Sequence, residues 1–454
     1  MQQKYDVVII GSGIGGLSAG SLLAHAGYKT LVAEKLSAIG GRWSNYWYKG
    51  FWLPAGALAI CYHGMEMENI YREVGAPTEW VRVPQVFYRI GGKDWEMPAK
   101  GAIVYMFDIV DKIEREVGRR NGTMTFNKER LINGFRLGVQ ERDKLPDISL
   151  KDWALQYTDN EMALGIFDCI ANTIGGAHAW EIKAKALFTF MVESKGFRDV
   201  SISPKGNIAN AATLADVIKA KGGDVWLNCP TTRIIVEQGK AKGVVVTKNG
   251  KDMTIATQAV ISNAGPRATV ELAGEKNFPE EYLGEVRVKV KAHPVTICYV
   301  ASDRPIWPEN GSPAYQMIVG ARRITSVVPL STISPFYAPK GQYLTFCFAG
   351  PLTNDVHMDT KVEKQQIMLD LREQFPLFEK HGKVLKFIFK DIDDDLPEMR
   401  SRVGEGVSTE TPIKNLYGVG DANGPYGLSG SNLATSSARI VAETVKKSYQ
   451  PGTT

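Results

Sequence analysis

Tyr5-Asp6-Val7-Val8-Ile9-Ile10-Gly11-Ser12-Gly13-Ile14-Gly15-Gly16 lies at the start of the chain, and its reading decides the fold. The first half is a β-rich run with an apolar centre, as a strand buried on both faces of a parallel sheet requires. The second half is Gly-x-Gly-x-x-Gly, carried by Gly11, Gly13 and Gly16. Leu17, Ala19, Leu22, Leu23 and Ala26 continue with helical character to a stop at Gly27, and Thr30-Leu31-Val32-Ala33 forms a second strand ending on Glu34. The spacing has a physical reason: Gly11 allows the tight turn, Gly13 removes the side chain that would block a pyrophosphate, and Gly16 lets helix and sheet pack closely. Backbone N–H groups at Ile14, Gly15 and Gly16, on the positive end of the helix, then face phosphates. Glu34, followed by Lys35, stands where a carboxylate accepts hydrogen bonds from a ribose. Strand before, helix after and acid in place make this a dinucleotide-binding unit rather than a chance glycine turn.

The uncharged run from Val7 to Ala24 is long enough to be scored as a membrane span, but composition argues otherwise. It holds five glycines and three serines and follows Asp6 rather than a basic segment. The full 454 residues exceed the roughly 250–300 at which one hydrophobic core stops growing, so two lobes are expected. A net charge of +5 without a dense Lys/Arg run argues against nucleic acid as a partner. The cysteines (Cys61, Cys169, Cys229, Cys298, Cys347) are scattered and odd in number, which suits a reducing cytoplasm, and neither they nor the six histidines show metal-ligand spacing. No metal is expected.

Past Glu34 the chain reads Lys35-Leu36-Ser37-Ala38-Ile39-Gly40-Gly41-Arg42, a second glycine turn that a minimal NAD unit does not need. Here the sequence resembles the flavin-containing amine oxidase and phytoene desaturase superfamily. Further stretches carry the resemblance: Ser203-Pro204-Lys205-Gly206-Asn207, Ala259-Val260-Ile261-Ser262-Asn263-Ala264-Gly265-Pro266, Asn415-Leu416-Tyr417-Gly418-Val419-Gly420-Asp421 and Gly424-Pro425-Tyr426-Gly427-Leu428-Ser429-Gly430-Ser431. The last of these is nearer the phytoene desaturase wording than that of the amine oxidases. Gly50-Phe51-Trp52-Leu53-Pro54-Ala55-Gly56 keeps the final glycine of the family's F-D-x-G element and replaces its acid.

The resemblance implies non-covalent FAD. Gly40, Gly41 and Arg42 would run beside the pyrophosphate, and Ala55, Gly56 and Asn263 would lie along the cofactor. Backbone at Ile234 and Ile235 would hold the adenine side, Asp421 the ribityl or pyrophosphate part, and Gly427, Leu428 and Ser429 the flavin pyrimidine. It also implies an α/β fold: a Rossmann-like FAD-binding domain of segments 1–64, 200–274 and 405–454, and a discontinuous α+β substrate domain of 65–199 and 275–404. In that second domain 103–117, 150–157 and 160–175 read as helices and 295–300 and 342–348 as strands, giving an antiparallel sheet under a helical cover.

The expected function is an FAD-dependent dehydrogenase, desaturase or double-bond isomerase that moves hydride between flavin N5 and a carbon of a small hydrophobic substrate, cyclic skeletons included. Tyr426, just before the flavin-facing turn, is the candidate catalytic residue, ahead of His63, Glu66 and Glu68. The aromatic cluster Trp43, Tyr46, Trp47, Tyr48, Phe51 and Trp52 reads equally as a pocket wall or as core, and is compatible with a peripheral membrane contact. Two alternatives stand beside this reading: an amine oxidase making imine and hydrogen peroxide, and a flavin-free prenyl-protein binding module of the GDP-dissociation inhibitor type. Oligomeric state is not readable from the sequence.

Overall fold

A computed structural model describes residues 4–58, 60–83, 85–98, 100–117, 126–195, 200–307 and 314–452. Strand Val7–Ile10 sits at the centre of a parallel sheet, between Thr30–Ala33 and Ala259–Ser262. Asp224–Trp226 and Leu416–Gly418 complete the two edges. Alternation along the central strand sends its side chains to opposite faces. Val7 and Ile9 pack with Leu17, Leu22, Leu214 and Val441 of helices Ile14–His25, Asn207–Ala220 and Gly430–Ser448. Val8 and Ile10 face Val244 and Ile255 of an antiparallel sheet formed by Thr231–Glu237, Lys240–Lys248 and Lys251–Ala256. Both faces being covered explains why the strands read as continuous apolar runs.

Helix Glu66–Val74 turns Met67, Ile70, Tyr71 and Val74, at helical spacing, into the same core as Ile14–His25. Helix Glu280–Lys289 likewise buries Tyr282 and Val286 against the other face.

The second lobe is built on a sheet in the order Gly382–Lys390, Val295–Ser302, Tyr343–Ala349, Ile324–Pro329, Tyr315–Ile318, Val86–Ile90, Lys93–Glu96. Neighbours are antiparallel except Tyr315–Ile318 beside Val86–Ile90. Helices Ala102–Val117, Lys128–Gln140, Leu150–Leu155, Glu161–Ile170 and Ala184–Glu193 form a separate core around Phe107, Trp153, Phe167 and Phe188. The helix read over 160–175 is α-helical only to Ile170; Ala171–Gly175 is a π-helical turn. Among the described residues, no helix is long and apolar enough to cross a membrane.

Candidate active site

The parallel strands end together at Ile10, Ala33, Ser262 and Gly418, and the crevice beyond their carboxyl ends is where an open α/β sheet takes a ligand. Gly11 turns there with φ 93°, in the left-handed region. A Cβ on Gly13 would lie 2.5 Å from Asn263 Oδ1, and one on Gly16 would overlap the Gly11 carbonyl. Asn263 is the staple of this turn: its Oδ1 accepts from Gly16 N at 3.1 Å and its Nδ2 donates to Val419 O at 3.0 Å. Gly13 caps the following helix without any side-chain hydrogen bond, and the N–H groups of Ile14 and Gly15 stay open to the crevice, whereas that of Gly16, expected to face phosphate, is taken by Asn263.

A cavity of about 310 Å³ runs along this crevice. The glycine loop, Glu34 with Lys35, the Gly40–Arg42 turn, Asn263 and Asp421 all line it. Glu34 is buried, with Oε2 accepting from Ser12 N and Oγ at 2.7 Å each, and Oε1 from Leu36 N at 2.8 Å. Those bonds orient a carboxylate that has further acceptor capacity toward the cavity. Farther along, Arg42 and Asp421 form a bidentate pair at 2.6 and 2.7 Å. Burial pushes the Asp421 carboxyl up, but the charge and hydrogen bond of Arg42, helped by Arg400, outweigh it and hold the group at about 2. Arg400 is brought down to about 10, by burial first and then by the neighbouring Arg42 charge. The chemistry of this set, with open helix N–H groups, a side-chain-free Gly13, a ribose-ready acid and fixed cations, fits a dinucleotide diphosphate.

Two more cavities continue the first. A smaller inner one, of about 140 Å³, shares Ala57, Glu398, Gly430 and Ser431 with it. The inner cavity in turn shares Ile174 and Tyr315 with a cavity of about 890 Å³ between the second-lobe sheet and its helices, where Met106, Phe135 and Met317 form part of a largely apolar lining. At the neck between the first two, Lys390 Nζ lies 3.0 Å from Glu398 Oε2, both side chains being at most 10% exposed. A Cβ on Gly56 would stand 2.6 Å from that Nζ. Helix Gly430–Ser448 opens on the same neck with no side-chain cap, since Ser429 Oγ donates to Ile174 O instead. Asn207, where the family pattern has glycine, donates from Nδ2 to Ala57 O at 2.8 Å and so sets the opposite wall.

Not every expected residue reaches these cavities. Gly56 and Ser429 line the inner one; Ala55, Gly427 and Leu428 belong to its framework without lining it. The crevice meets the antiparallel sheet at Pro230 and Thr231, whereas Ile234 and Ile235 pair with Val244 and Gly243 farther along the strand. Tyr426 is 45% exposed, with Lys185 over its ring, and lines none of the three cavities. The turn explains this: Gly427 packs against Thr189 in a left-handed conformation and sends 428–431 inward while Tyr426 faces out. Glu68 is occupied with Gly64 N and His63, and Glu66 with Arg439. Of the aromatic cluster, Trp43 lines the crevice and Phe51 packs in the second-lobe core, while Trp47 is 58% exposed beside Trp52 and Phe336. Lys390, Glu398 and Arg400 escaped sequence reading because they lie in a stretch assigned wholly to the other lobe and carry no spacing signal.

A parallel sheet with its dinucleotide crevice joined to an apolar cavity defines the class: a two-lobed dinucleotide-dependent oxidoreductase. The chain belongs to the flavin-containing amine oxidoreductase family, whose model matches residues 14–445, and it is an FAD-dependent oxidoreductase. An uncharacterised protein of Methanocaldococcus jannaschii is 23% identical over 95% of this chain and 98% of its own. The 15-cis-phytoene desaturase of Capsicum annuum is 21% identical, over 98% of this chain and 78% of that protein. Among solved structures, an oxidoreductase from Methanosarcina mazei superposes with a TM-score of 0.81 at 25% identity, covering 97% of this chain and 100% of that one.

Proposed function

We propose that the crevice holds FAD non-covalently and that the protein moves hydride between the flavin and a carbon of a largely hydrophobic substrate, as a dehydrogenase, desaturase or double-bond isomerase. The observation that carries this reading is the run of three cavities that share wall residues, Ala57, Glu398, Gly430 and Ser431 between the first two and Ile174 and Tyr315 between the second and third. Bound FAD would supply a two-electron hydride acceptor or donor.

The chain's own groups do the rest. The glycine loop and Arg42 bind phosphate, with Asp421 and Glu398 O fixing the guanidinium. Glu34 takes the ribose. Lys390 and the bare N-terminus of Gly430–Ser448 place positive charge at the neck, where negative charge would develop on reduction. The apolar walls around Met106, Phe135, Ile170 and Met317 desolvate the substrate and exclude water from the transfer. Among the described residues, no cysteine or histidine lines the crevice, while Cys61 lines the inner cavity. All five cysteines are buried and scattered through the fold, which suits a reducing cytoplasm.

The test is anaerobic: FAD-loaded protein is mixed with isoprenoids, unsaturated-ring carbonyls and amines while the flavin absorbance is followed. Bleaching by an apolar alkene or ring carbonyl supports the proposal. Bleaching by amines alone, with amine-dependent peroxide in air, would replace it with an amine oxidase.

A further inference from the structure

Behind the inner cavity stands a polar cluster that the reaction site does not use. The His293 ring is fully buried, and neither of its nitrogens meets a partner at hydrogen-bond geometry; Asn354 Oδ1, Asn172 Oδ1 and Thr173 Oγ1 are also buried without one. An unmet buried polar atom costs roughly 1–3 kcal/mol, and such atoms in native proteins are normally met by ordered water. Asn172 and Thr173 adjoin in the chain, Asn354 Nδ2 donates to Gly176 O at 3.4 Å, and a Cβ on Gly176 would stand 3.6 Å from His293 Cβ, so these atoms share one region that ordered water would serve.

The cluster has two ends. Toward the cavity, His293 N donates to Met399 O at 2.8 Å and Glu398 N donates to His293 O at 3.2 Å. Glu398, Met399, Thr173 and Phe348 all line the inner cavity, and the Phe348 ring lies 6.1 Å from that of His293. Asn172 and Thr173 come from the π-helical turn Ala171–Gly175, a distortion often found at functional sites. Toward the surface stands His178, its Nε2 2.7 Å from Pro351 O and its Nδ1 3.1 Å from both oxygens of Asp168. A carbonyl and a carboxylate only accept, so both ring nitrogens donate and His178 is an imidazolium. Burial lowers its pKa, but the hydrogen bond and charge of Asp168 outweigh that and raise it. The Asp168 side chain is 30% exposed.

We propose that water held by His293, Asn354, Asn172 and Thr173 carries protons between the inner cavity and the His178–Asp168 pair at the surface. The proposal rests on the hydride-transfer reading above. Removing hydrogen from two adjacent carbons breaks two C–H bonds and forms a C=C bond: the substrate is oxidised, one hydrogen leaves as hydride to the flavin, which is reduced, and the other leaves as a proton. Saturation reverses this and takes up a proton. Either way a proton must leave or enter the site, and Glu398 is already held by Lys390.

Charges around the relay suit it. Burial, then His178 and Arg402, bring His293 down to about 3, with the Asn354 side chain close enough to pull the other way. The ring is therefore neutral near pH 7, with one nitrogen to accept a proton and one to donate. Arg402 is paired with Asp355 at 2.8 Å, Glu181 accepts from His178 N, and the half-buried Glu405 carboxyl is raised by desolvation.

The experiment uses the FAD-loaded holoenzyme reduced anaerobically by the methyl viologen radical cation, a one-electron donor that releases no proton, so that the proton drawn to the flavin is read by a pH indicator in stopped flow. In the wild type, proton uptake keeps pace with bleaching. His293→Leu keeps its FAD and its thermal midpoint and slows proton uptake by at least about tenfold. Asn354→Leu, which leaves the imidazole in place, gives a smaller delay and decides the matter if the first variant does not fold. Unchanged uptake in a folded variant overturns the relay. A crystal structure gives a readout independent of flavin: water within hydrogen-bond distance of a His293 nitrogen is expected, and a dry ring overturns the proposal. A wild type that takes up no FAD defeats the hydride-transfer reading instead, and the crystallographic water still judges the hydrated cluster.

Discussion

The crevice at the sheet ends and the large cavity of the second lobe are built on opposite principles. In the crevice, single atoms decide: Gly13 tolerates no Cβ because Asn263 Oδ1 would stand 2.5 Å away, and Arg42 meets Asp421 through two hydrogen bonds. In the large cavity, volume decides, and Met106, Phe135 and Met317 can be exchanged for other apolar side chains of similar size at small cost. The difference predicts that substitutions in the crevice act on cofactor and stability, while substitutions in the cavity act on substrate alone.

The largest expected effect is in the crevice. Gly13→Val fills the phosphate approach and collides with Asn263, so flavin absorbance of the purified protein should be lost; retained flavin would break the comparison. Next, Asp421→Ala leaves Arg42 and Arg400 buried without their carboxylate. Removing one partner of a buried pair costs about 3–5 kcal/mol, read as a lower urea midpoint. On the other side, Ile170→Trp fills part of the large cavity, should leave flavin content unchanged and should weaken binding of the fluorescent polyene cis-parinaric acid by about tenfold, roughly 1.4 kcal/mol.

A pH effect sharpens the contrast. His293 titrates near 3 when folded and near 6.5 otherwise, so the unfolded chain binds the proton first as pH falls. Stability is therefore full above pH 6.5 and declines toward 3, and urea midpoints of His293→Leu should fall less over that window than those of the wild type. Smallest of all is Tyr426→Phe, within about 0.5 kcal/mol of wild type in stability and with unaltered flavin, because the ring lies at the surface.

The same contrast explains what could be read from the sequence. Gly11, Gly13, Gly16 and Glu34 sit at fixed spacing because one backbone turn, one phosphate approach and one strand end demand them, so four residues disclose a lobe. The apolar cavity leaves no such trace: any set of apolar side chains in helices and strands reads as core. The neck was the least legible part. Lys390 ends a second-lobe strand and Glu398 follows an acidic loop, and only the fold brings them against Gly56, more than 300 positions earlier in the chain. Tyr426 shows the reverse case, a residue close in sequence to the inward turn that Gly427 directs away from it. Glu66–Val74 and Glu280–Lys289 were hard to place for a related reason, since a helix that buries one face does not disclose in its pattern which core that face joins.

The most direct test of a continuous path from crevice to apolar cavity is the anaerobic flavin spectrum of wild type and Ile170→Trp, each loaded with FAD and titrated with the same isoprenoid alkenes. Bleaching of the wild type by an alkene, with Ile170→Trp needing about tenfold more of the same alkene, is the predicted result. Equal bleaching of both proteins, or bleaching by amines and by no alkene, would contradict it.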